Sequence, residues 1–280
     1  IDGATGKLTL LNTVSSGSPG PTHIAIDPSG KWVAVANYSG GSIANFGIES
    51  DGRLGPMVTL LQHTGSGFDH KRQESPHPHQ VVPSPDGHFL LSPDLGLDRV
   101  FVYKQNLKTG KLTANDPPWV EVKPGSGPRH LVFSPNGKFV YLACEMASDV
   151  IAFSYASGKM ETLQTISVLP KDFHGESTAA EIEVHPSGRF LYVSNRGADD
   201  IAQLNINPST GLLTMERNVS TQGKVPRGFG IDPEGKYLFA GNQNTDTVVV
   251  FRIDPANGHL SPTGETLQVA SPVSVVFVRQ

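Results

Sequence analysis

The chain has 280 residues, with 22 Lys and Arg against 26 Asp and Glu, so a net charge of −4 offers no basic excess for nucleic acid or an anionic membrane surface. A single cysteine, Cys144, excludes an internal disulfide framework and reads as a small buried apolar residue. No apolar run approaches the roughly 18 residues that a membrane span requires, and no segment carries helical periodicity.

In chain order, the first feature to recur is a tight turn. It reads Asp27-Pro28-Ser29-Gly30-Lys31, then Ser84-Pro85-Asp86-Gly87-His88, Ser134-Pro135-Asn136-Gly137-Lys138, His185-Pro186-Ser187-Gly188-Arg189 and Asp232-Pro233-Glu234-Gly235-Lys236. The spacings are 57, 50, 51 and 47 residues. Short apolar runs flank each turn, such as Trp32-Val33-Ala34-Val35-Ala36 and Phe139-Val140-Tyr141-Leu142-Ala143, and Gly or Asn-Gly supplies the positive φ that a tight hairpin needs. A second turn repeats in phase, from Thr5-Gly6-Lys7-Leu8 through Thr109-Gly110-Lys111-Leu112 to Asn257-Gly258-His259-Leu260. A third strand precedes it and a fourth follows. Four short strands per repeat of about 50 residues predict an all-β fold, a β-propeller of four-stranded antiparallel blades.

Five turns of the first kind and six of the second predict five complete blades with part-blades at both ends. The last part-blade is the run Pro272–Val278, which matches a blade's first strand. The expectation is one propeller domain over residues 1–280. The count fits either a six-bladed ring with one blade incomplete or, the favoured expectation, a seven-bladed ring completed by a further blade and a half, on the order of 70 residues, before Ile1. The polar excursion from His63 to Ser75 accounts for the longest spacing and reads equally as a functional loop or a mobile one.

Blade registration selects candidate site residues. The position five before each first turn is Thr22, His79, Arg129, Ala180 or Arg227, at the mouth of the blade's innermost strand. The positions ten and eleven after the turn's start are Asn37-Tyr38, Asp94-Leu95, Cys144-Glu145, Asn195-Arg196 and Asn242-Gln243. Because a hairpin returns to the end where it began, both sets are expected around one opening. Three arginines converging on an acidic protein suggest an anion site. Each also has a structural reading: inter-blade ties to Glu145, Asp94, Glu181 or Asp246, a satisfied histidine at His79, and strand-end caps for the Asn and Asp positions. His77 and His79 with His70 give only a weak metal motif.

The stretches Val35-Ala36-Asn37-Tyr38-Ser39-Gly40-Gly41-Ser42, Arg72-Gln73-Glu74-Ser75-Pro76-His77-Pro78-His79, Asp94-Leu95-Gly96-Leu97-Asp98-Arg99-Val100, Gly127-Pro128-Arg129-His130, Ser194-Asn195-Arg196-Gly197 and Val225-Pro226-Arg227 carry a resemblance. Together they resemble the lactonase family of seven-bladed propellers, which includes propeller-type 6-phosphogluconolactonases and the fungal carboxymuconate cyclase. The resemblance implies a site of one histidine, two arginines and a glutamate, falling on His79 (or His77), Arg129, Glu145 and Arg196. His77, Arg227, Asn37, Asn242 and Gln243 are the expected substrate ligands.

The reaction expected is hydrolysis of a sugar lactone, 6-phosphogluconolactone first, with Glu145 or His79 as base and no metal or cofactor. Arg129 and Arg196 would act on the lactone carbonyl or product carboxylate, and Arg227, with Lys224 or Lys71, on the phosphate. A muconate cycloisomerase, a metal-dependent lactonase using the Asn and Asp positions, and a non-enzymatic scaffold are the alternatives. A scaffold tends to repeat one residue at every blade's central position, and here those positions differ. The partner is expected to be a small anionic lactone or carboxylate, with no nucleic acid or membrane and the oligomeric state open. The expected location is cytoplasmic, an export signal before Ile1 remaining compatible.

Overall fold

A computed structural model describes residues 1–278. Among them there is no helix, and five four-stranded antiparallel sheets carry the fold. The chain divides into two compact units, one of Ile1–Val122 with Val278 and one of Lys123–Phe277.

The first unit holds two sheets. One comprises β1 Pro21–Ile26, β2 Trp32–Asn37, β3 Ser42–Ile48 and β4 Leu54–Gln62. The other comprises β5 Val82–Pro83, β6 Phe89–Asp94, β7 Arg99–Gln105 and β8 Leu112–Glu121. The second unit holds three. They are β9 Pro128–Phe133, β10 Phe139–Cys144, β11 Asp149–Ala156 and β12 Lys159–Ser167; β13 Thr178–Val184, β14 Phe190–Arg196, β15 Asp200–Ile206 and β16 Leu213–Ser220; and β17 Pro226–Ile231, β18 Tyr237–Asn242, β19 Thr247–Ile253 and β20 Leu260–Gln268. Every sheet runs in sequence order, so each is a meander.

Local chemistry explains the hairpins. The first residue of each recurring turn caps it: Asp27 Oδ1 accepts from the amides of Lys31 and Trp32, Ser134 Oγ from Phe139, and Asp232 Oδ1 from Lys236 and Tyr237. The glycine of the second turn has a packing role as well. A side chain at Gly110 would meet the Trp32 ring, at Gly211 the Phe139 ring and at Gly258 the Phe190 ring. The aromatic that opens a blade's second strand thus lies flat on a glycine of the next blade in the same unit. Apolar side chains between sheets form the cores: Tyr141, Val150, Leu191 and Leu204 in one, Phe229, Leu238, Phe251 and Tyr192 in another.

Two expectations are modified. The innermost strand before Ser84 shrinks to Val82–Pro83 plus a lone bridge between Pro78 and Asp94. Pro76, Pro78 and Pro83 have no N–H to give to a ladder, although the His79 amide still donates to Pro93 O at 2.9 Å. The terminal segments that sequence assigns to part-blades carry no strand through Gly20 or from Val269 to Val278. The Pro272–Phe277 run lies instead against β17, where a Cβ at Gly228 would stand 2.5 Å from Val273 O, and Phe277 meets Phe239 edge-on.

Candidate active site

The position five before the turn is special because the ladder breaks there. Pairing skips at Thr22 in β1, at Arg129 in β9, at Ala180-Glu181 in β13 and at Arg227 in β17. Such a bulge leaves a residue out of register and re-aims its side chain. In β9 it turns two consecutive side chains toward β13: Arg129 Nε donates to Ala180 O at 3.2 Å, and His130 Nδ1 lies 2.9 Å from Glu181 Oε1.

The second unit brings Arg129, Glu145 and Arg196 together. Glu145 follows β10, and its Oε2 accepts from Arg129 Nη1 at 2.6 Å and from Arg196 Nη2 at 2.9 Å. Arg129 and Glu145 are buried, at 4% and 5% side-chain exposure, and Arg196 nearly so at 13%. Arg196 Nη2 also donates to Ala179 O. Burial pulls the Arg129 guanidinium below its ordinary value; Glu145 opposes that pull, and Arg227 adds to it by like-charge repulsion. Arg227, half-buried in β17, therefore lies within electrostatic reach of Arg129. It follows Val225, whose φ of 56° is an outlier for a β-branched residue. Asp199 Oδ1 holds that strained backbone by accepting from the Val225 amide at 2.8 Å.

Below the arginines β13 carries two carboxyls. Burial alone would raise Glu181, but His130, their hydrogen bond and Arg129 more than offset it, so its carboxyl stays below the usual range. Glu183 is pushed up to about 8 by burial and by neighbouring Glu181, although Ile231 N donates to it at 2.9 Å.

In the first unit His77 and His79 are buried around Tyr38, which stacks on His77 at 4.4 Å and meets His79 edge-on at 5.4 Å. Asp94 holds this segment by accepting from the His77 and Gly96 amides. Its other oxygen lies 2.6 Å from His63 Nδ1, and His63 Nε2 lies 2.7 Å from Tyr103 OH. The His63–Ser75 excursion is thereby anchored at His63, and again at Gln73, whose Nε2 donates to Leu95 O. His70 is exposed, unlike His77 and His79. Among the described residues no three His, Cys, Asp or Glu side chains form a group fit to hold a metal.

Asn37 and Asn242, expected as substrate ligands, end β2 and β18. Both are fully buried, and their amides donate to Ser16 O and Thr221 O, as Asn195 donates to Val168 O. This is the strand-end tie that the repeated register allows, made in three of the five sheets. Gln243, just beyond β18, is half-buried. Cys144 is fully buried in the same register. Lys224 pairs with Asp199 at 3.0 Å, and Lys71 is exposed on the first unit's loop.

Sequence reading passed over His130 and Glu183, and offered Glu181 only as a tie for the arginines. The signal was one register further in: the position four before the turn reads His23, Gln80, His130, Glu181 and Gly228, polar in four sheets of five on an otherwise apolar strand. Two before the turn, Glu183 stands where the other sheets have Ala25, Val82, Val132 and Gly230.

The repeated meanders mark a propeller, and its second unit holds a buried arginine–glutamate cluster. Residues 1–277 match the family described as Lactonase, 7-bladed beta-propeller, and the chain belongs to that family. A Bacillus subtilis protein named 6-phosphogluconolactonase is 38% identical over all of this chain, which covers 79% of that protein. A Bacteroides fragilis crystal structure, provisionally named 6-phosphogluconolactonase, matches 98% of this chain and 77% of its own, with 38% identity and a TM-score of 0.91. The periplasmic gluconolactonase of Pseudomonas aeruginosa matches 90% of this chain and 71% of its own, with 38% identity and a TM-score of 0.84.

Proposed function

We propose that this protein hydrolyses a sugar lactone, and that its substrate is 6-phosphogluconolactone, opened to 6-phosphogluconate. The observation that carries this reading is the buried Arg129–Glu145–Arg196 cluster with Arg227 beside it. The name of the Bacillus relative, whose match spans the whole chain, supports the choice of substrate. Water adds to the lactone carbonyl, charge grows on the carbonyl oxygen, and the ring C–O bond then breaks. Guanidiniums fixed in a dry site stabilise that charge far better than water does, because their dipoles are already in place. Glu145 offsets the mutual repulsion of Arg129 and Arg196 and sets their direction. Arg227 binds the phosphate as a planar fork. His77 and His79 remain candidates through the family resemblance. A phosphorylated sugar is too charged to leak across a bilayer, so this substrate places the reaction inside the cell.

The second reading is an unphosphorylated gluconolactone, favoured by the Pseudomonas relative. The test follows ring opening of both fresh lactones above their spontaneous rates. The expected result is turnover of the phosphorylated lactone that falls about 100-fold or more in Arg129→Ala. Arg227→Ala should raise KM about tenfold for that substrate and leave gluconolactone unaffected. Turnover of gluconolactone alone would overturn the phosphosugar reading.

A further inference from the structure

We propose that His130, oriented by Glu181, takes the proton from the attacking water and returns it to the ring oxygen; this role rests on the lactonase reading above. Four observations converge on it. The β9 bulge sets His130 beside Arg129 and turns both toward β13. Glu181 Oε1 accepts from the imidazole Nδ1 at 2.9 Å and is itself fixed by the Ile182 amide at 3.1 Å, while the Glu181 amide donates to Ser194 Oγ. This fixes the tautomer, leaving Nε2 as the basic nitrogen, the arrangement in which a carboxylate orients a catalytic imidazole. The pair is mostly shielded but not sealed, at 10% exposure for His130 and 19% for Glu181. Glu145, the obvious rival, has its Oε2 already accepting from two guanidiniums, so that oxygen is occupied by Arg129 and Arg196.

The balance is simple. The water O–H bond breaks, its proton goes to Nε2, and the oxygen bonds to the lactone carbonyl carbon. When the tetrahedral carbon collapses, the ring C–O bond breaks and the same proton leaves the imidazolium for the departing oxygen. No oxidant, metal or second reactant is consumed. Glu181 on β13 is the charged group in contact with the imidazole; Arg129 precedes it on its own strand and carries the links to Glu145 and, through that carboxylate, to Arg196, with Arg227 of β17 in reach of Arg129 and Glu183 two residues beyond Glu181. Glu181 carries the negative charge of its pair, while Glu183 is held protonated at neutral pH.

The experiment measures kcat and KM from pH 5 to 9 for the wild type, His130→Gln, Glu181→Gln and Glu181→Asp, with nitrogen NMR of the wild-type imidazoles. His130→Gln is expected to lower kcat about 100-fold, with KM within about threefold and the acid limb of the profile gone. Glu181→Gln should lower kcat about tenfold and shift the acid limb to lower pH, because a neutral amide no longer stabilises the imidazolium; Glu181→Asp should restore part of both. Turnover that survives in a folded His130→Gln overturns this role alone. If that variant does not fold, the wild-type spectrum decides: His130 titrating with the acid limb supports the role, and a ring unchanged across the limb overturns it. No turnover by the wild type on either lactone overturns the lactonase reading, and this role with it.

Discussion

Glu145 illustrates how a single carboxylate can organise a site. Two guanidiniums share its Oε2, and all three groups are largely withdrawn from water. Removing one member of a buried charge cluster costs about 3–5 kcal/mol, because the remaining charges lose their compensation without regaining solvent. Glu145→Gln is therefore expected to destabilise the protein by about that amount in urea titrations, and to splay the arginines enough to abolish lactone hydrolysis. Glu183 makes the opposite prediction about pH. Its folded-state value, about 8, lies above the ordinary range of a glutamate, so the native state holds a proton that the unfolded chain releases. Its stabilising contribution is complete at acid pH and is lost as pH rises toward and through about 8. The measurement is unfolding free energy across pH 4 to 9: the wild type should weaken from near pH 4.5 to about 8 and level off above that, and Glu183→Gln should remove this fall. The pairing of Arg129 with Glu145 was legible in sequence, because one hairpin brings both ends to one edge. The condition of Glu183 was not, since its burial depends on β17, contributed by the next sheet.

At the scale of an element, the meander is written in turns. Gly30 and Gly211 both have φ near 70°, a region that a side chain enters at a cost of about 1–2 kcal/mol. Their surroundings differ. A Cβ at Gly30 meets nothing within 4 Å, whereas one at Gly211 would fall 2.3 Å from the Phe139 ring. Gly30→Ala should lower stability by the backbone term alone; Gly211→Ala should lose about 1–3 kcal/mol more through overpacking, read as the difference in denaturant midpoints. Recurrence of a Gly turn was visible in the sequence, but its reason was divided between chain stretches some 70 residues apart. The bulges are a further case. Registration located Arg129 and Arg227 at one position per blade, and the skipped pairing there is what aims them. It also brings His130 into play, which a strict alternation of faces would have assigned to the opposite side.

For the molecule as a whole, the two units are built alike and furnished differently. The second carries the arginine–glutamate cluster and the β13 carboxyls; the first carries a tyrosine–histidine group held by Asp94 and its buried partner His63. In the register that sequence offered as a cation ring, Asn37, Asn195 and Asn242 each donate through Nδ2 to a backbone carbonyl, while Asp94 accepts from the His77 and Gly96 amides. Because the proposed function assigns the stabilising charge to arginines, lactone hydrolysis is expected to continue at its full rate after dialysis against a chelator, and a loss restored by divalent cation would contradict that arginine-centred reading.

The sequence by itself determined the all-β meander, the number of sheets, the turn positions and the convergence of Arg129 with Glu145. Those features arise from local chemistry: which residues tolerate positive φ, which cap a turn, and how a hairpin returns. Only the tertiary structure decided that Arg196 shares the Glu145 oxygen, that His130 faces Glu181, that burial and Glu181 raise the Glu183 carboxyl and that His63 underpins His77. These depend on how deeply a group is buried and which neighbouring strand presents a partner, and both are set by sheets packing across tens of residues of chain.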